Sequence, residues 1–455
     1  MNIIAKLKSS VFADYYSNPL FSKNIGLRLF QLGVLLLSVA PVISFLLLLI
    51  SSAFSSLKIK DNYFKDKYNF PFLLVTVLMI FNCIFLTLNE NNFFNLGIFN
   101  IWIGLCNWLP FFWCFWGFQP YLKSTELRIQ ISKLLIISSL PVLLSGFCQY
   151  FLKIYGPYSF FNNLIIWYQR PLANESGVTG LFNNQNYFGA WLCIILPLCL
   201  IFLLEKNKHN LRKFLLFLLC LSFVYMIVLT SSRGAILSIF ITIFLFTKSI
   251  RDKLFILSSL FSLPIFFKVI ADLSLNSKSI IFNFLPYELI KKVFLINFSD
   301  LDHFPRIEIW IKSLELIKLN PIIGYGAGSF KVLYGNLNGA FGEIQHSHNI
   351  FLEIAINHGL PSSLIIFSLI IFITFNAWRK NSSIPLSKSS ISENKMKKFD
   401  RAWIIAFIVF LIIHTFDITY FDGRISTLAW ILLAGMRSII RERSIIRERS
   451  IIKVN

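Results

Sequence analysis

Charge is what this sequence has least of. Only 14% of its 455 residues are Asp, Glu, Lys or Arg, against about 25% in a typical soluble chain. With 56% hydrophobic residues and a mean hydropathy of +0.68, this excludes an ordinary soluble domain. Acid is scarcer still, with 22 Asp and Glu against 43 Lys and Arg, a net charge of +21. On a soluble protein that excess would point to nucleic acid. Here the basic residues sit in short segments between apolar runs, as in the cytoplasmic loops of membrane proteins, and no nucleic-acid partner is expected. C-x-x-C pairs are absent too. Cys83, Cys106, Cys114, Cys148, Cys193, Cys199 and Cys220 all fall inside apolar runs and read as small core residues, neither a disulfide framework nor a metal site. Residues 1–25 are mixed and polar, so no cleavable signal peptide is expected.

Long apolar sequence is what the chain has instead. Runs lie at about 29–57, 70–88, 101–118, 131–152, 187–204, 214–230, 234–248, 254–271, 359–377, 402–416 and 425–437, and roughly 20 apolar residues cross a bilayer. Lys58, Lys60, Lys65 and Lys67 mark one side, and the next loop, NENNFFNLGIFN, has no basic residue. Alternation then puts Lys123 and Arg128, Lys206 to Lys213, Arg251 and Lys253, the basic stretch from Arg379 to Arg401, and the tail on the first side, the cytoplasm. The basic N-terminal segment joins them if the run 29–57 turns back at Pro41, where a backbone donor is missing. The expectation is an all-α integral membrane protein of about 12 transmembrane helices with a large, partly helical outer (periplasmic) loop. Its parts are an N-terminal transmembrane region (1–271), the periplasmic loop (272–358), a C-terminal transmembrane region (359–437) and a basic cytoplasmic tail (438–455). The inner loop 381–395 is rich in Ser and Asn and reads as flexible. RSIIRE recurs every six residues from Arg437; that period does not return to one helix face, so it reads as incidental, with some attraction to anionic lipid.

Chemistry is expected in the outer segment. Four of the six histidines, His303, His346, His348 and His358, lie within 303–358, and histidine exchanges protons near neutral pH; the bland alternative is polar residues in a polar loop. Arg306 opens RIEIWIKSLELIKLNP, an amphipathic pattern delimited by Pro305 and Pro321, expected to lie on the membrane surface. GYGAGSF at 324–330, with Gly326 and Gly328, is either a flexible turn or a place where backbone N–H groups approach phosphate. Arg233, in TSSRGA between two apolar runs, either has a partner or snorkels to the interface. Asp300 and Asp302 form a weak D-x-D pattern, and no metal is expected.

Together these residues resemble the O-antigen ligase and polymerase superfamily. SSRGA at 231–235, R-x-E-I-W with NPIIGYGAGSF, LFNNQNYFGAW at 181–191 with Asn186, and HSHNIFLEIAINHGL at 346–360 carry the likeness. Its most specific element is His348-Asn349 followed by Gly359. Where the family often has Gly, Thr or Tyr, this chain has Ser362. The resemblance implies a glycosyltransferase of the inner (plasma) membrane, with its site facing the periplasm, that moves a glycan from a polyprenyl diphosphate carrier to an acceptor hydroxyl. His348 would be the base, Arg233 and Arg306 would hold the diphosphate, and Asn349, Gly326, Gly328, Asn186 and His346 would support them. Partners are the lipid-linked donor, a lipid-core or glycan acceptor and membrane lipids, and no cofactor is expected. Ligase and polymerase use the same chemistry; a protein O-oligosaccharyltransferase and a lipid-linked-glycan transporter are the remaining readings. A transporter should carry ionisable residues mid-membrane, and here only His414 comes close.

Overall fold

Residues 25–58, 63–64, 66–89, 98–172, 177–205, 210–260, 262, 305–337, 339, 344–382 and 391–452 are described by a computed structural model. The D-x-D pair, His303 and most of the inner loop 381–395 lie outside these residues. The chain begins with α1 (Ile25–Leu36) and α2 (Pro41–Lys58). The long first run is therefore a helical hairpin, with Pro41 at the first helical position, where its missing donor costs nothing. Gly33 lets the arms approach: a Cβ there would lie 2.8 Å from Leu48 Cγ, and Ser44 Oγ donates to Gly33 O at 2.7 Å.

There follow α3 (Phe70–Leu88), α4 (Ile98–Leu105), α5 (Leu109–Gly117), a 3-10 turn at Gln119–Leu122 and α6 (Thr125–Phe151). The run 101–118, expected as one span, is not one continuous helix: it breaks between Leu105 and Leu109. Pro110 sits at the start of α5, the Asn107 carbonyl accepts from Tyr420 Oη at 2.9 Å, and Trp108 stacks on Tyr420 with centroids 4.5 Å apart. Strands β1 (Tyr158–Phe160) and β2 (Ile165–Trp167) pair antiparallel. The remaining elements are α7 (Gln185–Leu203), α8 (Asn210–Leu229), α9 (Arg233–Phe246), a helical stretch over 250–260, α10 (Pro305–Leu319), α11 (Phe330–Asn336), α12 (Ile350–His358), α13 (Leu360–Ser382), α14 (Ile391–Phe416) and α15 (Gly423–Ile452).

Among the described residues, seven helices are long and apolar enough to cross a membrane: α3, α6, α7, α8, α13, and most of α14 and α15. The hairpin arms and α9 are apolar but shorter. This is a mostly helical, multi-span membrane protein; seven spans stand on length and composition among the described residues, where about 12 were expected of the whole chain, and most of the expected run 254–271 lies outside the described residues. Close helix contact is built around small residues and satisfied tryptophans. Trp403 donates to Leu432 O at 2.8 Å, and a Cβ on Gly435 would lie 2.4 Å from the Trp403 ring nitrogen.

Charged residues gather at the two ends of α14, Asp400 near its start and Asp417 just past its end. Seventeen residues at 1.5 Å each separate them by about 25 Å. At the first end Arg128 on α6, fully buried, pairs with Asp400 at 2.8 Å and with Glu442 on α15 at 2.5 Å, and Arg443 reaches Asp400 at 2.6 Å. Arg437 and Arg441 share Asp66 at 2.9 and 3.1 Å. The RSIIRE repeat is therefore not incidental. Residues 438–452 continue α15 instead of forming a separate tail, and arginines one repeat apart, about 120° around the helix, reach Asp66 on one side and Asp400 on another. Buried charges are tolerated because each finds an opposite partner.

Candidate active site

Five elements, α7, α9, α10, α12 and α14, deliver the site at the other end of α14. Asn349 caps α12, its Oδ1 accepting from Phe351 N at 3.0 Å and Leu352 N at 3.2 Å, while its Nδ2 donates to Thr415 O at 3.2 Å on α14. Glu353, buried one turn in, accepts the Ser347 N–H at 2.9 Å and the Asn357 amide at 3.1 Å. The polar residues of HSHNIFLE thus fold the preceding loop back over the helix start, and His348 occupies the left-handed region at φ +53°. Burial raises the Glu353 carboxyl, against the hydrogen bonds it receives.

This fold-back sets His348 beside α14. Its Nδ1 lies 2.9 Å from Asp417 Oδ1, which also accepts the Ile418 N–H at 2.9 Å. Asn186 Nδ2 donates to Asp417 Oδ2 at 2.6 Å. Burial raises the Asp417 carboxyl, but the hydrogen bond and charge of His348, with the charges of His346 and Arg306, outweigh it and hold Asp417 below its usual range. An ionised Asp417 accepts hydrogen bonds only, so His348 Nδ1 carries the proton and Nε2 is left as a base. His346 stacks edge-on to His348 with centroids 4.4 Å apart. Burial, then repulsion from His348, pushes it down to about 4, so it is neutral near pH 7.

Arg306, in the first turn of α10, lines a cavity with Asn186, Ala190, Ser232, Gly234, Ala235, Ile413, Phe416 and Asp417. Asn186, Gly234 and Arg306 each lie one residue inside the start of α7, α9 and α10, so three helix N-termini face one space. The helix dipoles there favour an anion. Arg233, at the start of α9, is close enough to Arg306 for the two guanidinium charges to oppose one another. The amphipathic reading of α10 holds in part. Ile307, Ile311 and Leu314 stay exposed at one-turn spacing, whereas Ile309, Leu316 and Ile317 pack into a second core with Tyr325 and Phe330.

The structure thus brings His348, His346, Asn186, Arg306 and Arg233 together, with Asn349 as the hinge that positions them. The glycine turn does other work. Tyr325 and Gly326 N–H groups donate to Ile356 O at 2.7 Å and Asn357 O at 3.0 Å, so the Gly326 donor is spent on the end of α12. Gly326 and Gly328 sit at φ +87° and +78°, where glycine costs least. At Gly359 a Cβ would lie 1.9 Å from Ile322 O, which explains a glycine at that spacing after His348-Asn349. His358 lies at the far end of α12, its carbonyl accepting from Asn82 at 2.8 Å, and is no part of the site. Asp417 and Glu353 were missed. The signal for Asp417 was a lone acid abutting the apolar run 402–416, where an ionisable group needs a reason. Ligand atoms of His346, His348 and Asp417 lie within 4.8 Å of one another and can hold a metal ion, although the Arg306 charge, felt at both His346 and Asp417, opposes a second cation there.

Residues 186–367 match the family model described as O-antigen ligase. That stretch holds every site residue expected from the sequence, and Asp417 lies beyond it. A similar known protein is the ComP-specific O-oligosaccharyltransferase of Acinetobacter baylyi, 27% identical over 358 residues that cover 78% of this chain and 59% of that protein. The chain thus spans about three fifths of its relative's length. The resemblance to the O-antigen ligase and polymerase superfamily is borne out by both.

Proposed function

We propose that this member of the O-antigen ligase superfamily is a membrane glycosyltransferase that moves a glycan from a polyprenyl diphosphate to an acceptor hydroxyl on the periplasmic face of the inner membrane. The observation that carries the reading is one cavity in which Arg306 and three helix N-termini meet Asp417, the carboxylate that holds His348 at 2.9 Å. An acceptor O–H gives its proton to His348 Nε2 and its oxygen bonds to the anomeric carbon. The bond from that carbon to the diphosphate oxygen breaks, and the electron pair leaves with the diphosphate. Attack opposite the leaving group inverts the anomeric centre. Arg306 and Arg233, with the helix N-termini, stabilise the departing charge; arginine suits this because its planar fork donates two hydrogen bonds to one phosphate.

The acceptor we favour is a lipid core or a growing polysaccharide. Transfer to a protein is the second reading, favoured by the name of the Acinetobacter baylyi relative. The test is a reconstituted assay with the full chain, a synthetic polyprenyl-diphosphate glycan, and lipid-core, glycan and peptide acceptors in separate reactions. Glycan should appear on a lipid-core or glycan acceptor, with release of polyprenyl diphosphate, and should persist in EDTA because arginines supply the positive charge. Peptide as the sole acceptor would establish the second reading. Vesicle flux of the lipid-linked glycan without transfer would make the protein a transporter. If EDTA abolished transfer and a divalent ion restored it, the His346, His348 and Asp417 triad would be a metal site and the arginine reading would fall.

Sidedness has its own test. In a cysteine-free background, Gln345→Cys beside the site, exposed on the surface, should react with an impermeant thiol reagent applied to the periplasmic side, and exposed Lys248→Cys should not. The reverse pattern would turn the molecule over and remove the periplasmic assignment. Ser347, although next to His348, is fully buried and is a poor reporter.

A further inference from the structure

His414, the ionisable residue that comes closest to mid-membrane by sequence, sits on the last turn of α14, three positions before Asp417. It is fully buried, and its ring lies 4.1 Å from that of Phe410 between centroids. Its Nδ1 is 2.7 Å from Phe410 O and its Nε2 is 3.0 Å from Thr419 Oγ1, also fully buried. A carbonyl oxygen only accepts, so Nδ1 carries the proton and Nε2 of the neutral ring accepts from the Thr419 hydroxyl. The imidazole thus ties the last turn of α14 to the chain just beyond it. Asp417 lies inside the loop so closed, its own N–H donating back to Ile413 O at 3.0 Å. A second fastening follows at once: Tyr420 Oη donates to Asn107 O at 2.9 Å and accepts from Trp430 Nε1 at 2.8 Å. The Asp417 carboxylate meanwhile answers three donors, His348 Nδ1 at 2.9 Å, Ile418 N at 2.9 Å and Asn186 Nδ2 at 2.6 Å. On a loose turn it would follow whichever donor moved; on a fastened turn it dictates where the His348 ring stands.

We infer that the His414–Thr419 hydrogen bond is a positioning clamp for glycan transfer: it holds the turn that carries Asp417, and through Asp417 it sets the orientation of His348. The inference rests on the reading of His348 as the base and Asp417 as the group that orients it. Neither His414 nor Thr419 lines the cavity of Arg306, so both act through Asp417. An imidazole suits the task because one rigid ring donates at one edge and accepts at the other, which fixes the distance between the helix end and the turn.

The test uses the full chain with a synthetic polyprenyl-diphosphate glycan, transfer rate and donor affinity being measured separately. Thr419→Val should lower the rate by about 10- to 10²-fold, the upper figure being the loss for a misplacement of about 1 Å. Donor affinity should hold, because Arg306 and Arg233 are untouched. Thr419→Ser keeps the hydroxyl, and His414→Gln can set an acceptor toward it, so each should recover most of the rate. On an Asp417→Asn background Thr419→Val should add little, since the carboxylate it positions is already gone, whereas a merely structural bond would add its loss in full. If the melting temperature shows that Thr419→Val does not fold, Thr419→Ala makes the same test without a methyl group in the place of the hydroxyl. A wild-type rate in the folded hydroxyl-free variant, an equal loss in Thr419→Ser, a loss carried wholly by donor affinity, or losses that multiply in full on the Asp417→Asn background would remove the clamp. A wild-type rate in His348→Ala would instead remove the base reading on which the clamp rests.

Discussion

Asp417→Asn should slow glycan transfer by on the order of 10² to 10⁴, approaching the loss expected for His348→Ala. The carboxylate accepts from His348 Nδ1 and so leaves Nε2 free to take the acceptor's proton. An asparagine amide can present an N–H at the same place, which would pull the imidazole proton to Nε2 and leave the base facing the wrong way. Asp417 Oδ1 also accepts the Ile418 N–H at 2.9 Å, so an amide turned with its N–H toward His348 gives up that bond as well, and the melting temperature of the variant checks that it is folded. The two histidines separate a catalytic role from a crowd of polar side chains. His346→Ala should cost far less, since burial and His348 already hold His346 neutral. Transfer rates and donor binding are measured separately: the His348 and Asp417 variants should keep binding and lose rate. Wild-type transfer by His348→Ala would end the general-base assignment and return the histidine cluster to the status of a polar loop.

That dyad shows which parts of the site were legible in the sequence. His348, Asn349 and Arg306 stand in local patterns, a helix cap and an amphipathic start, that a linear reading detects. Asp417 is 69 positions from His348; its place beside an apolar run marks it as unusual, but its pairing with His348 exists only because α14 ends where α12 begins. The Gly324–Gly328 turn misled for the opposite reason. Its glycines mark positive φ and close approach, and the neighbour they approach is α12, through Ile356 and Asn357 carbonyls, where a phosphate was the alternative considered. Hydropathy located the long helices well and the short ones badly. The run 101–118 looks continuous by composition, yet Pro110 and the Asn107 carbonyl bonded to Tyr420 divide it. The C-terminal repeat forms no single stripe, but a helix packed on several sides needs charges on several faces, as Arg437 and Arg443 supply to Asp66 and Asp400.

Arg306 should carry the second large effect. Arg306→Ala should lose on the order of 10² to 10³ in transfer, the range for removing one donor to a developing anion, and should weaken donor binding as well, in contrast to the His348 and Asp417 variants. Arg306 lines the cavity at the start of α10, and its charge reaches Arg233, His346 and Asp417. Two guanidinium groups this close both act on a diphosphate bound beside them, and their attraction is felt most as its charge grows on departure. Lysine at 306 keeps the charge and loses the planar fork, so Arg306→Lys should recover part of the binding and little of the rate. Arg233→Ala should act on the same anion, and the double variant should lose less than the product of the single losses, because the two residues act on one group. The measurement is a four-member cycle of transfer rate and donor affinity with a defined polyprenyl-diphosphate glycan. Losses that multiply independently, or an Arg306→Ala variant with unchanged donor affinity and rate, would take the diphosphate away from this pair of arginines.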